Sequence, residues 1–169
     1  MKDITRFSLV LFSICLVAGF FLSLISGIAQ PRILAQKEKE ENQAIEDVLP
    51  AAPYEIEKVQ KDNISFYKAK DEKGNLIAYV FIAQPQGYSS RIKTVVSLDK
   101  EGNIITVKVL EQAETPGIGS RVAEEDFLSR FKGKSFNQSF DTITGATISS
   151  QAVIDAIKEK AQILLSHGE

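Results

Sequence analysis

Hydrophobic and polar positions change rhythm three times along the chain. From Phe7 to Ile28 there is no rhythm at all: 22 uncharged residues, fourteen of them Leu, Ile, Val or Phe. From Ile33 to Leu49 the apolar residues Ile33, Leu34, Ala35, Ala44, Ile45, Val48 and Leu49 are spread among many charges, the pattern of a helix with one modest apolar face. Pro31 is expected to end the first stretch, and Pro50 and Pro53 to close the second. The rhythm then turns β-like. Ile64–Ala69 alternates, Leu76–Ala83 is nearly continuous and reads as a central strand, and Ile92–Leu98 and Ile104–Leu110 complete four strands. Asp71-Glu72-Lys73-Gly74-Asn75 and Asp99-Lys100-Glu101-Gly102-Asn103 separate them as two hairpins. Helical spacing returns in Ala123–Phe131, with Phe127, Leu128 and Phe131 on a buried edge. A last helix carries Val153, Ala156, Ile157, Ala161 and Leu164 as its core stripe, with Lys158, Glu159 and Lys160 expected largely outward. The pattern predicts an α+β class: one N-terminal transmembrane helix, then a domain of antiparallel strands packed against a C-terminal helix.

The first stretch is long enough to cross a hydrocarbon core as a helix. At about −0.3 to −0.6 kcal/mol per central residue, its fourteen large apolar side chains contribute roughly −4 to −8 kcal/mol to insertion. Four serines and two glycines erode this without reversing it. A cleaved signal peptide is the competing reading, but its apolar region usually runs about 7–15 residues. Cys15 is read as a small apolar side chain of the helix. The organisation expected is a cytoplasmic tail at 1–6, a membrane anchor at 7–29, a membrane-proximal stalk helix at 30–52 and an extracytoplasmic domain at 53–169. A short tail ahead of a long domain is the arrangement of a signal-anchor, which exports the domain behind it.

Composition removes several chemistries. A net charge of −2 leaves no basic footprint for nucleic acid. One cysteine excludes an intrachain disulfide and a cysteine-cluster metal site. The single histidine, His167, stands third from the end, which argues against Ser-His-Asp, Cys-His and His-rich metal chemistry. No catalytic side chain and no metal ligand set is expected; any redox work has to be done by a bound cofactor.

Two loops carry the candidate chemistry. Asp141-Thr142-Ile143-Thr144-Gly145-Ala146-Thr147-Ile148-Ser149-Ser150 joins the β-rich part to the last helix with small side chains and dense hydroxyls. Gly145 permits a tight or left-handed turn. Thr147 and the two serines fall where an N-cap is expected, beside free N–H groups and the positive end of the helix dipole, a seat for phosphate. An ordinary turn and cap has the same composition. In Glu114-Thr115-Pro116-Gly117-Ile118-Gly119, Pro then Gly favours a type II turn, and Gly119 is a second place where backbone can come close to a ligand.

Thr144-Gly145-Ala146-Thr147, led by Asp141 and followed by Ser149-Ser150 and Ala152-Val153, resembles the flavinylation motif of the FMN-binding domain family. That family includes the RnfG subunits of Rnf electron-transport complexes and the NqrC subunits of sodium-pumping quinone reductases. Glu114–Gly119 resembles its E-T-P-G-[LI]-G stretch, Phe131-Lys132-Gly133-Lys134 its F/W-x-G-K, and Gly87-Tyr88 the start of G-[YF]-x-G-x-I, with Ser90 where glycine is usual. The stalk helix ending in Leu-Pro is also RnfG-like.

The resemblance implies FMN joined by a phosphoester to Thr147, with Thr144, Gly145 and Ala146 admitting the phosphate. It also implies cofactor contacts from Ser149 and Tyr88 and a lining for the isoalloxazine from Glu114, Thr115, Pro116, Gly117, Ile118 and Gly119. Asp141 would be recognised by a separate Mg²⁺-dependent flavin transferase. The function implied is an electron relay in the cell membrane, the domain outside the cytoplasm. Its partners would be the other membrane subunits of an Rnf-type ferredoxin:NAD⁺ oxidoreductase, coupled to Na⁺ or H⁺ movement, and membrane lipid. Two alternatives stay open: an NqrC-like subunit, and a flavin-free binding module displayed on the membrane.

Overall fold

The computed structural model describes residues 2–49, 55–61 and 64–167. It divides into two units, residues 1–40 and 41–169. Pro50, Pro53 and the expected 52/53 boundary lie outside the described residues.

The described residues of the first unit are helical throughout. It belongs to α1, Lys2–Asp47, which contains the apolar stretch and passes through Pro31 without ending. The expected break at Pro31 is therefore not a break. The ring removes one backbone hydrogen bond to Gly27, and the helix continues on either side of that loss. Phe7, Leu9, Phe12, Phe20, Leu22 and Ile28 all stand exposed. An all-round apolar helix is suited to hydrocarbon rather than water, and this one fits a membrane anchor.

The second unit is a five-stranded antiparallel meander in the order β1-β2-β3-β4-β5. Its strands are β1 Glu55–Lys61, β2 Ile64–Lys70, β3 Leu76–Ala83, β4 Lys93–Leu98 and β5 Ile104–Glu111. β3 lies in the middle, as its continuous apolar run predicts. The two hairpin turns use one device: Asp71 and Asp99 each accept the backbone N–H of the asparagine four residues on, at 2.7 Å in both cases.

Both faces of the sheet are covered. Phe66, Tyr79, Phe81, Val96, Leu98 and Ile104 pack toward α3 (Thr147–His167), whose Val153, Ile154, Ile157, Ala161 and Leu164 are buried. Tyr67, Ala69, Ala78, Val80 and Val95 pack instead against Ala44, Ile45, Val48 and Leu49. The end of the expected stalk is thus one layer of the domain. The Ser97 hydroxyl donates to the Val48 carbonyl at 2.7 Å, and Lys93 and Lys108 pair with Glu41 and Asp47.

β1 is absent from the sequence expectation for a physical reason. Ile56 belongs to one apolar cluster and Val59 to the other, so this edge strand shows no period-two stripe. The helix expected over Ala123–Phe131 is shorter, a 3-10 turn at Gly119–Ala123 and then α2 at Glu125–Leu128. Beyond it Arg130, Phe131 and Lys132 donate to carbonyls three residues back, so the chain tightens instead of continuing as α-helix. Phe127 and Phe131 are buried as expected, while Leu128 is half-buried. Lys160, expected outward, is half-buried, and its ammonium donates to the Ile82 carbonyl at 2.6 Å. Its pKa is pushed down by burial, opposed by the nearby Glu159 carboxylate.

Candidate functional site

Three segments converge beside the first turn of α3: the 87–90 loop between β3 and β4, the 114–119 loop after β5, and the turn that starts the helix. Between them lies a cleft of about 430 Å³, within the roughly 300–1,000 Å³ usual for small-molecule sites. Tyr88, Glu114, Thr115, Ile118 and Gly119 line it from the two loops, and Gly145, Ala146, Thr147, Ile148 and Ser149 from the turn and the helix start.

The helix end is built to leave donors free. The Ala146 N–H closes a turn on the Ile143 carbonyl at 2.9 Å, with Gly145 at its third position and φ +85°. That left-handed value is the reason glycine stands there. Thr147 is the first helical residue, so Ala146 holds the flanking position and has no side chain with which to cap. Neither serine caps, contrary to the expectation. The Ser150 hydroxyl accepts from the Ile143 N–H at 3.0 Å and donates to the Ala146 carbonyl at 2.8 Å. The Ser149 hydroxyl donates to Glu114 Oε2 at 2.6 Å. The first N–H groups of a helix have no intrahelical acceptor, and no acidic residue stands in this first turn to take them. The corner suits an anion.

Glu114 is buried, 5% exposed, and both its carboxylate oxygens accept from the chain. Oε1 accepts from the N–H groups of Ser89 and Ser90 at 3.0 and 2.7 Å and from the Ser90 hydroxyl at 3.1 Å. Oε2 accepts from the Tyr88 N–H at 3.2 Å and from Ser149. Burial by itself raises the carboxyl pKa. The hydrogen bonds from the Ser149 hydroxyl, the Ser90 and Ser89 amides and the Ser90 hydroxyl outweigh it, and the net shift is downward. The Ser90 side chain therefore adds a contact that a glycine would lack; its hydroxyl also accepts the Ala113 N–H at 2.9 Å.

The expected type II turn is present. The Ile118 N–H reaches the Thr115 carbonyl at 3.2 Å and Gly117 has φ +73°. Gly119 has another task. A Cβ there would lie 2.8 Å from Glu114 Cβ and Oε2 and 3.3 Å from the Ser149 hydroxyl, so the space beside it belongs to the protein itself.

Nine of the residues expected to hold cofactor line the cleft: Tyr88, Glu114, Thr115, Ile118, Gly119, Gly145, Ala146, Thr147 and Ser149. Pro116, Gly117 and Thr144 do not, although they shape its two turns. Asp141 also stands outside; it is exposed, and its carbonyl accepts from Arg130 at 3.3 Å. Phe131–Lys134 acts on the fold, because Gly133 N–H donates to the Ile104 carbonyl and the Lys134 carbonyl accepts from Ile104. Ile148 lines the cleft and was missed. It lies nine residues before Ile157, about 180° around the helix from that buried stripe, and an apolar residue on the wrong face was the signal. Among the described residues beyond α1, the large exposed apolar side chains are Tyr88, Ile118 and Ile148, all on this rim.

Fold and cleft together define a class: a sheet–helix domain, joined to a membrane-type helix, that opens a small-molecule site at the N-terminus of its last helix. Residues 87–162 match the FMN-binding domain family. Over 88% of its length the chain is 30% identical to the G subunit of the proton-translocating ferredoxin:NAD(+) oxidoreductase complex of Clostridium ljungdahlii, covering 84% of that protein. It is 29% identical to the G subunit of the ion-translocating oxidoreductase complex of Methanosarcina acetivorans over 92% of both chains. The crystal structure of Shewanella oneidensis NqrC superposes with a TM-score of 0.51 at 26% identity, the match spanning 61% of either chain. The corresponding Na(+)-translocating NADH-quinone reductase protein from Parabacteroides distasonis has the same fold, with a TM-score of 0.53 at 20% identity over 67% of this chain and 74% of that one. The chain belongs to the FMN-binding domain family, among the G subunits of ion-translocating oxidoreductase complexes.

Proposed function

We propose that this chain is the membrane-anchored FMN-carrying subunit of an Rnf-type ferredoxin:NAD⁺ oxidoreductase coupled to Na⁺ or H⁺ transport. The sheet domain, with the end of α1 that packs on it, is extracytoplasmic, residues 1–6 are cytoplasmic, and the flavin is covalently held at Thr147. One observation carries the choice of residue. Of the five hydroxyls between Asp141 and Ser150, Ser149 and Ser150 are committed internally and Thr142 and Thr144 do not line the cleft. Thr147 is exposed and on the cleft wall, at the uncapped helix end.

The donor set fits FMN. Free N–H groups and the helix dipole meet the phosphate, while Tyr88, Ile118 and Ile148 offer apolar surface to the ring. Bound there, FMN supplies electron transfer in single steps, which no side chain of this chain supplies. Thr147 Oγ forms the ester by attack on the phosphorus of an activated flavin nucleotide. The donor's leaving group departs with the electron pair of the broken P–O bond, and the hydroxyl proton passes to solvent or to a base of the transferase. The exposed Asp141, six residues before Thr147, is open to recognition by that Mg²⁺-dependent transferase. The other membrane subunits of the complex and lipid complete its surroundings.

An NqrC-like role is the second reading, favoured by the fold neighbours. Sequence favours the first reading: the two G-subunit relatives match over 88% and 92% of this chain at 30% and 29% identity. The test is the intact mass of the chain coexpressed with a flavin transferase, beside T147A. A gain of FMN less one water that survives denaturation and vanishes in T147A supports the reading. No gain with an active transferase returns the protein to the class of flavin-free binding modules.

A further inference from the structure

We infer that Glu114 and Ser149 are positioning residues: they form a clasp that locks the Tyr88 loop to the first turn of α3, so that a group tethered at Thr147 is held in one orientation in the cleft. The inference rests on the reading above for what is tethered, and on geometry for the clasp. One buried carboxylate gathers the N–H groups of Tyr88, Ser89 and Ser90, the Ser90 hydroxyl and the Ser149 hydroxyl, five donors from two segments distant in sequence. Glycines wall it in. A Cβ on Gly87 would lie 2.7 Å from Oε1, and one on Gly119 2.8 Å from Oε2, so neither position has room for a side chain beside the carboxylate.

The clasp joins two of the segments that line the cleft. Tyr88, whose ring is exposed on the rim, and Thr147, two residues before Ser149, both take their positions from the segments that it ties. An ester to a threonine side chain leaves several rotatable bonds and fixes no orientation by itself. Walls held at a fixed spacing supply the orientation that the ester lacks. The negative charge matters to this task, because a carboxylate accepts on both oxygens whereas an amide accepts on one. With glutamine at 114, the amide NH₂ meets either the Tyr88 N–H or the Ser89 and Ser90 N–H groups, donor against donor. Only the Ser149 and Ser90 hydroxyls can adapt, by turning to accept.

The full-length chain in detergent, prepared with and without flavin transferase, tests this as wild type, E114Q and S149A. In the flavin-free protein, amide exchange at Tyr88, Ser89 and Ser90 rises about ten-fold or more in E114Q, while β2 and β3 keep their protection. Wild-type protection at these three amides in E114Q overturns the clasp. In the loaded protein, the visible circular dichroism per bound flavin collapses toward that of free FMN in S149A, since the loop is then no longer tied to the helix. Dichroism unchanged by S149A overturns the positioning role, and this arm also decides the matter should E114Q fail to fold. If the wild type itself takes up no flavin, the functional reading fails, while the exchange measurement still decides whether the clasp exists.

Discussion

Gly119→Ala isolates the close packing at the site. Gly119 does not have positive φ, so alanine meets no backbone strain there, only a lack of space. Its Cβ would lie 2.8 Å from both Glu114 Cβ and Oε2. Oε2 is at the end of a side chain, but Cβ is fixed to the backbone, so the clash is relieved only by moving the 114–119 loop or pushing Glu114 from its donors. Overpacking of this kind costs about 1–3 kcal/mol. For a unit of this size that is a fall in Tm of roughly 5–15 °C. Gly117→Ala is the control in the same loop. It has φ +73° and no atom within 4 Å of its added Cβ, so its cost is about 1–2 kcal/mol of left-handed strain, with no effect on the carboxylate. Tm alone does not separate the two variants. Amide exchange does: G119A speeds exchange at Tyr88–Ser90, about thirty residues away in sequence, and G117A leaves it unchanged. A G119A protein with wild-type Tm and wild-type exchange at the 87–90 loop would refute the packing described here.

Three further outcomes rest on the same geometry. Glu114 is held below its ordinary pKa of 4.5, so its contribution to stability is complete above that pH and is lost as pH falls through the folded-state value. Urea midpoints from neutral to acid pH should show wild type losing its advantage over E114Q below about pH 4.5; a difference constant across the range would contradict this. Ile45→Ala opens a hole under the second face of the sheet, where Ile45 is 2% exposed, and should cost about 2–5 kcal/mol in chemical denaturation. A cost below about 0.5 kcal/mol would mean that the end of α1 is not part of the domain core. Ile148→Ser, on the exposed rim, should leave stability within about 0.5 kcal/mol and weaken the visible dichroism of bound flavin; equal dichroism would remove Ile148 from the ring seat.

The order of elements was legible because each had a local signature. β3 is covered on both sides, so its apolar run is continuous; the two hairpins have an Asp, Gly and Asn at matching places; α3 has a stripe. What the sequence hid depends on what the elements face. Ala44, Ile45, Val48 and Leu49 read as a modest face of a stalk because nothing local says that a sheet waits for them. Val59 and Ile56 serve different cores, and their strand vanishes from any single-face pattern. The 3-10 turn at Gly119–Ala123 has no periodicity to detect, and Val122 is buried there for tertiary reasons alone. At the site, the two loops were legible as motifs, but their internal division of labour was not. Glu114 looked like a lining residue, and its carboxylate proves to be the point on which the Tyr88 loop closes.

Hydroxyl use shows how folding turns a permissive sequence into one site. On sequence, any of Thr142, Thr144, Thr147, Ser149 and Ser150 is chemically able to take a phosphoryl group, and a turn-plus-cap composition gives no ranking. Folding ranks them by occupation and direction. Ser150 is turned back onto its own helix, where it also satisfies Ile143, and Ser149 is spent on the carboxylate that closes the opposite loop. Gly145, in a conformation that a side chain would resist, swings Thr144 off the cleft wall and places Ala146 just ahead of the helix. A Ser, Thr, Asp or Asn in place of Ala146 could cap the first turn and consume the N–H groups on which an anion would rest. A single free hydroxyl beside uncapped amides is what remains, so A146S or A146D should compete with the phosphate through the backbone, without touching the threonine, and reduce flavin incorporation in the intact-mass assay. Full incorporation in A146D would show that the helix end does not hold the phosphate.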